Sequence, residues 1–190
     1  MKFMFVGEKV ILRSMELTDL DDLMKHWNNL KMREFLATPM PFTREEEEQW
    51  VRNTWAQRQA GKEYQFAIEN KETKEYLGSV GLMSVDNINR SAEAGIAIHQ
   101  EKNWGKGYGT DAMRLILKVG FDYLNLHRIV LRVYEFNERG IKSYKKVGYT
   151  EVGRHRQAHY TNGKYCDVIY MDILRDEWEE KKKELGKEFQ

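Results

Sequence analysis

Polar and apolar positions along the chain change period three times, and each change marks an element. Residues 9–13 (Lys-Val-Ile-Leu-Arg) are a short apolar run bounded by charge, read as a first strand. Leu20, Leu23, Met24, Trp27 and Leu30 then recur at helical spacing, with Thr18 placed to cap them. Pro39 and Pro41 flank Met40 in a connector. Thr43-Arg44-Glu45-Glu46 has the form of a capping box, and Trp50, Val51, Thr54 and Trp55 give the buried stripe of a second helix that Gly61 ends. From Tyr64 the period is two. Residues 64–68, 76–85 and 92–98 read as three strands joined by polar, turn-forming links, hence an antiparallel meander.

A glycine stretch, Trp104-Gly105-Lys106-Gly107-Tyr108-Gly109-Thr110, interrupts this pattern and is followed at once by an amphipathic run over residues 111–125. The β-prone residues 128–134 follow, then a short helix over about 138–146 that Gly148 stops. Residues 149–159 and 165–174 flank Thr161-Asn162-Gly163-Lys164, where Asn-Gly signals a hairpin. A charged, solvated helix is expected from Trp178 on. Repeats and low-complexity linkers are absent. The pattern is α+β, one domain over residues 1–190 with its core at about 9–178.

Composition narrows the classes. The chain has 31 basic and 30 acidic residues, so no global charge argues for nucleic acid or a membrane surface. One cysteine, Cys166, rules out an internal disulfide or a cysteine zinc cluster, and its place in an alternating strand makes it a packed thiol. Charge interrupts the N-terminal residues too early for a signal peptide, and no run approaches the roughly 18 apolar residues of a membrane span. The expectation is a cytoplasmic protein with no metal site.

The glycine stretch carries the chemistry. Glycines at alternate positions let backbone N–H groups turn toward one point, and the following helix adds unpaired N–H groups and the positive end of its dipole. That combination binds phosphate. Lys106 lies between glycines rather than after them, which argues against a P-loop. The third glycine of GxGxxG is missing, and no βαβ unit precedes the stretch, which disfavours a dinucleotide fold. A glycine turn that merely starts a helix stays open at this level.

The order of elements and two motifs together resemble the GCN5-related N-acetyltransferases, in the branch of ribosomal-protein alanine and spermidine acetyltransferases. The signature Arg/Gln-x-x-Gly-x-Gly/Ala falls on Trp104, Gly107 and Gly109, with tryptophan in the first position. The second motif, Asn-x-x-Ala-x-x-x-Tyr and then Lys/Arg-x-Gly-Phe/Tyr, matches residues 137–144 and 146–149, with Gly140 for alanine. The resemblance implies a mostly antiparallel sheet of about seven strands, flanked by helices, in which residues 94–98 and 128–134 run parallel and splay apart. It further implies acetyl-CoA as co-substrate. Its pantetheine would lie along Ile96, Ala97 and Ile98 and its pyrophosphate on Trp104, Gly105, Lys106, Gly107, Tyr108, Gly109 and Thr110. Asn137, Arg139, Lys142 and Tyr144 would complete the cofactor site, Asn137 either bonding pantetheine or capping its helix.

Acetyl transfer needs a deprotonated amine, a polarised thioester and a protonated leaving thiolate. Tyr144 is the candidate acid and Glu93 the candidate base, with His99 a lesser one acting through water. Over residues 14–50 nine acids face four bases, a local charge of −5. In the resembling family these helices line the acceptor side, where an acidic lip would concentrate a cationic amine. The expected activity is direct acetyl transfer, in a ternary complex, to the N-terminal alanine or serine of a protein or to a polyamine such as spermidine. The alternative is a coenzyme A-binding regulatory module without chemistry. A homodimer through the hairpin or strand edges is open.

Overall fold

The computed structural model describes residues 5–36 and 40–185; Pro39 of the expected connector lies outside them. The elements are β1 (Phe5–Val6), β2 (Val10–Ser14), α1 (Leu20–Trp27), α2 (Leu30–Arg33), α3 (Arg44–Gln59), β3 (Tyr64–Asn70) and β4 (Tyr76–Asp86). They continue with β5 (Ser91–Ile98), α4 (Tyr108–Lys118), β6 (Arg128–Tyr134), α5 (Glu138–Val147), β7 (Thr150–Thr161), β8 (Lys164–Leu174) and α6 (Arg175–Leu185). The architecture is α+β, with an eight-stranded sheet in the order β1-β2-β3-β4-β5-β6-β8-β7. β5 and β6 form the parallel pair and the other neighbours are antiparallel. The strand beyond the expected seven is β1, two residues long and too short for periodicity to reveal.

Helices cover both faces of the sheet. On one, Leu12, Leu82, Ala92 and Ile129 pack against Met113, Ile116 and Leu117 of α4. On the other, Ala67 and Tyr76 pack against Leu20, Leu23 and Val51. Side chains alternate across a strand, so Ala67 goes to one core while Phe66 and Ile68 go to the other. Thr43 caps α3 as expected, accepting from the Glu46 N–H while the Glu46 carboxylate accepts from the Thr43 N–H at 2.7 Å. Gly148 ends α5 with φ at 117°, and Asn162 and Gly163 turn the β7–β8 hairpin with φ at 49° and 78°.

Four expectations change. Thr18 caps nothing; instead the Asp19 carboxylate accepts from the Glu16 N–H at 2.9 Å and closes a short 3₁₀ turn before α1. The first helical stripe is split into α1 and α2, with Asn29 capping the second piece. The helix after the glycines starts at Tyr108, so Gly109 and Thr110 belong to its first turn, and a π-turn at Val119–Tyr123 ends it. The last helix begins at Arg175 and is not simply solvated, because Trp178 is fully buried and stacks on Phe121.

Candidate functional site

The parallel pairing of β5 with β6 is short. It holds at Ser91↔Arg128, Ala92↔Ile129 and Glu93↔Val130 and then stops, so the strands part beyond Glu93. On the other side β5 stays paired with β4 as far as Gly78↔Ile98. The His99 N–H bonds the Leu77 carbonyl. Antiparallel ladders alternate, so Ala97 turns its backbone to β4 while Ile96 and Ile98 turn theirs into the gap. Ala97, named with them from the sequence, therefore offers the gap only its methyl. The Ile98 carbonyl accepts from the Trp104 indole N–H at 2.7 Å.

The glycine stretch closes one end of this gap. Gly105 and Gly107 have φ of 72° and 89°, which side-chain-bearing residues rarely adopt, and Gly107 is the N-cap of α4. The first turn of α4 therefore presents its unpaired N–H groups at the gap. Thr110 Oγ1 lies 2.8 Å from Ser143 Oγ, joining α4 to α5. Lys106 and Tyr108 are on the stretch but do not line the cleft. Lys106 is exposed and its carbonyl accepts from Lys9 Nζ at 2.8 Å, while the Tyr108 phenol oxygen accepts from Asn70. Lys9 and Ser143 escaped the sequence reading. Lys9 had no motif to flag it; Ser143 stood inside one as a variable position.

The stretch is anchored by Asp111. Its buried carboxylate accepts from the backbone N–H groups of Glu8, Lys9 and Val10 at 3.3, 2.8 and 3.0 Å. This fixes the first turn of α4 to the start of β2, and with it Lys9.

From the other side α5 supplies Asn137, Arg139, Lys142, Ser143 and Tyr144 to the same cleft, whose volume is about 740 Å³. Asn137 is a helix cap: its Oδ1 accepts from the Gly140 N–H at 3.0 Å. The Arg139 guanidinium lies 3.8 Å above the centroid of the Trp104 ring and 5.3 Å from that of Phe35. The signature's tryptophan thus carries a cation brought from another element. Lys142 reaches Glu138 at 3.5 Å. Tyr144 packs edge-on against Tyr149, and burial pushes its phenol up to about 12, partly offset by Arg139.

Glu93 stands where the strands part, its Oε1 accepting from Arg132 Nε at 2.7 Å. Tyr134 and His159 stack with ring centroids 3.8 Å apart, and Met32, Phe35 and Leu36 also line the cleft, Phe35 beside Trp104. His99 does not join them. It is 3% exposed between Trp27 and Tyr76, and burial lowers it to about 3. A ring enclosed in this way, away from the cleft lining, has no water path to an amine there. The acidic lip also fails to form, because no acid of residues 14–50 lines the cleft. Asp19, Asp21, Asp22 and Glu48 pair with Arg13, Arg44, Lys25 and Arg52, while Glu47 accepts from the Trp27 indole.

Among the described residues, no helix is long and apolar enough to cross a membrane.

Residues 9–150 match the family described as an acetyltransferase (GNAT) domain. An uncharacterized N-acetyltransferase, p20, of Bacillus licheniformis is 29% identical over 90% of this chain and 96% of its own length. Spermidine N(1)-acetyltransferase of Vibrio cholerae is 34% identical over 61% of this chain and 66% of its own. The crystal structure of spermidine N-acetyltransferase from Vibrio cholerae in complex with CoA and spermine superposes with a TM-score of 0.79 at 29% identity, over 89% of this chain and 97% of that one. The chain belongs to the acetyltransferase (GNAT) family and is an N-acetyltransferase.

Proposed function

We propose that this enzyme moves the acetyl group of acetyl-CoA directly to a primary amine in a ternary complex, the amine being that of a polyamine or of a protein N-terminus. The observation that carries this reading is a single continuous cleft. It holds the opened edge of β5, the glycine cradle, Tyr144 and Glu93.

The residues fit coenzyme A. Unpaired N–H groups at the start of α4 suit pyrophosphate, and Lys9, Arg139, Lys142 and Lys146 supply cations around it. The Ile96 backbone suits the pantetheine amides, as the N–H of Ile98 does. Acetyl-CoA supplies an activated acyl thioester; the chain's own groups handle the protons. An alkyl ammonium, with a pKa of about 10, must lose one before attack. Glu93 is the carboxylate at the point where the strands part, and it takes that proton. Tyr144 is protonated at neutral pH, as any phenol is, and burial raises it further to about 12, so it has a proton to give to the departing thiolate.

The relatives named as spermidine acetyltransferases support the polyamine class. One solved spermidine N-acetyltransferase from Vibrio cholerae is dodecameric. We extend self-association to this chain, with the exposed edge of β7 as the available surface; light scattering tests it. For the reaction, thiol release from acetyl-CoA is followed with and without amine, beside a calorimetric titration of acetyl-CoA. Amine-dependent thiol release supports the reading. Binding without transfer across polyamines and peptides would return the non-catalytic module, and no binding at all removes both.

A further inference from the structure

The acceptor end of the cleft is nearly charge-balanced. Among the described residues that line the whole cleft, Glu93 is the one carboxylate, against Arg132, Arg139, Lys142 and Lys146. Glu93 is itself matched by Arg132, Nε to Oε1 at 2.7 Å. Val130 is the register partner of Glu93, so Arg132 stands two residues further along β6 on the same face, across the mouth of the gap. Met83, the register partner of Glu93 on β4, stands beside the pair, and Met32, Phe35 and Leu36 add apolar lining to the same cleft.

We propose that Arg132 sets the acceptor class: it selects an amine with a carboxylate or carbonyl oxygen on the neighbouring carbon and disfavours polycations. The proposal rests on the acetyl-transfer reading above and narrows its acceptor. A polyamine brings two or more ammonium groups to an end of the cleft that has one carboxylate, already paired. An amine bearing an adjacent oxygen instead lies antiparallel to the Glu93–Arg132 pair. Its ammonium meets Glu93 and its oxygen meets Arg132, so each charge gains a partner and none is stranded. Nε uses one of the five guanidinium donors, which leaves the terminal nitrogens for that oxygen. The apolar lining then takes the substituent on the same carbon.

The test uses three amines of one skeleton, L-leucine, L-leucinamide and 3-methylbutylamine, beside spermidine, on the purified full chain, with kcat/KM from thiol release. Leucine or leucinamide is expected to exceed both 3-methylbutylamine and spermidine by about tenfold or more, the factor one charge-assisted hydrogen bond carries. Leucine ahead of leucinamide assigns a free carboxylate; the reverse order assigns the carbonyl of a longer chain. In R132Q the advantage over 3-methylbutylamine falls toward one, chiefly through KM, and R132K restores part of it. Melting curves confirm that the variants fold. A wild-type preference for spermidine or 3-methylbutylamine overturns the proposal, as does an R132Q advantage equal to that of wild type. Acetyl-CoA binding with no thiol release from any of the four and none from peptides sinks the acetyl-transfer reading instead.

Discussion

Replacing Asp111 by alanine removes a buried carboxylate that three backbone donors share. The side chain is 2% exposed and accepts at 2.8 and 3.0 Å from Lys9 and Val10, and at 3.3 Å from Glu8. Water cannot replace it at Val10, which is fully buried. A hydrogen bond to a charged group contributes about 1.5–3 kcal/mol, and a stranded buried donor costs about 1–3 kcal/mol. Counting the two shorter bonds at the low end gives a loss of about 3 kcal/mol. For a chain of this length that lowers Tm by about 6–12 °C. The functional effect travels through Lys9, whose ammonium holds the Lys106 carbonyl of the cradle at 2.8 Å. Coenzyme A affinity should therefore fall together with stability. Asp111→Asn keeps one strong acceptor and sets an amide against the remaining N–H groups, so it should lie between wild type and alanine. Urea unfolding and calorimetric binding measure both effects. A loss below about 0.5 kcal/mol in Asp111→Ala, the usual size of a surface substitution, would refute the claim that this carboxylate ties α4 to β2.

Tyr144→Phe should lower kcat by roughly 10²–10⁴, the range of a lost general acid, with coenzyme A affinity retained; single-turnover kinetics decides it, and unchanged turnover takes Tyr144 out of the acid role. Trp178→Ala should cost about 3–5 kcal/mol in chemical denaturation, because a fully buried indole stacked on Phe121 leaves a large void, and a cost under about 1 kcal/mol would place the last helix outside the core. His99 is held neutral by burial with its value lowered from 6.5 to about 3. The unfolded chain therefore binds a proton that the folded chain refuses, and stability present above about pH 6.5 is lost as pH falls toward 3. His99→Phe should flatten the fall of Tm between pH 6.5 and 4, and an unaltered slope would show that another group sets it.

Periodicity and local chemistry were enough for the meander, the Thr43 cap, the Asn162-Gly163 turn and the glycine-started helix, because each depends on neighbours within a few residues. The two motifs went further and located Tyr144, Asn137 and the cradle. Long-range pairing was not legible, since nothing near Glu93 in the sequence announces Arg132, and nothing near Trp104 announces Arg139. The acids of the first helices show the same limit from the other side. Their count suggested an acidic lip, yet Asp19, Asp21, Glu34 and Glu47 found partners on other elements, and Asp22 and Glu48 within their own helices. Only folding brought β2 against α4, which placed Lys9 at the cradle. The sequence by itself determined most of the elements, because propensity, capping and turn geometry are local, and its two motifs pointed to Gly107, Gly109, Asn137 and Tyr144. The tertiary structure alone decided which charges meet in the cleft and which are neutralised elsewhere, because a charge's worth depends on what lies within a few ångströms of it.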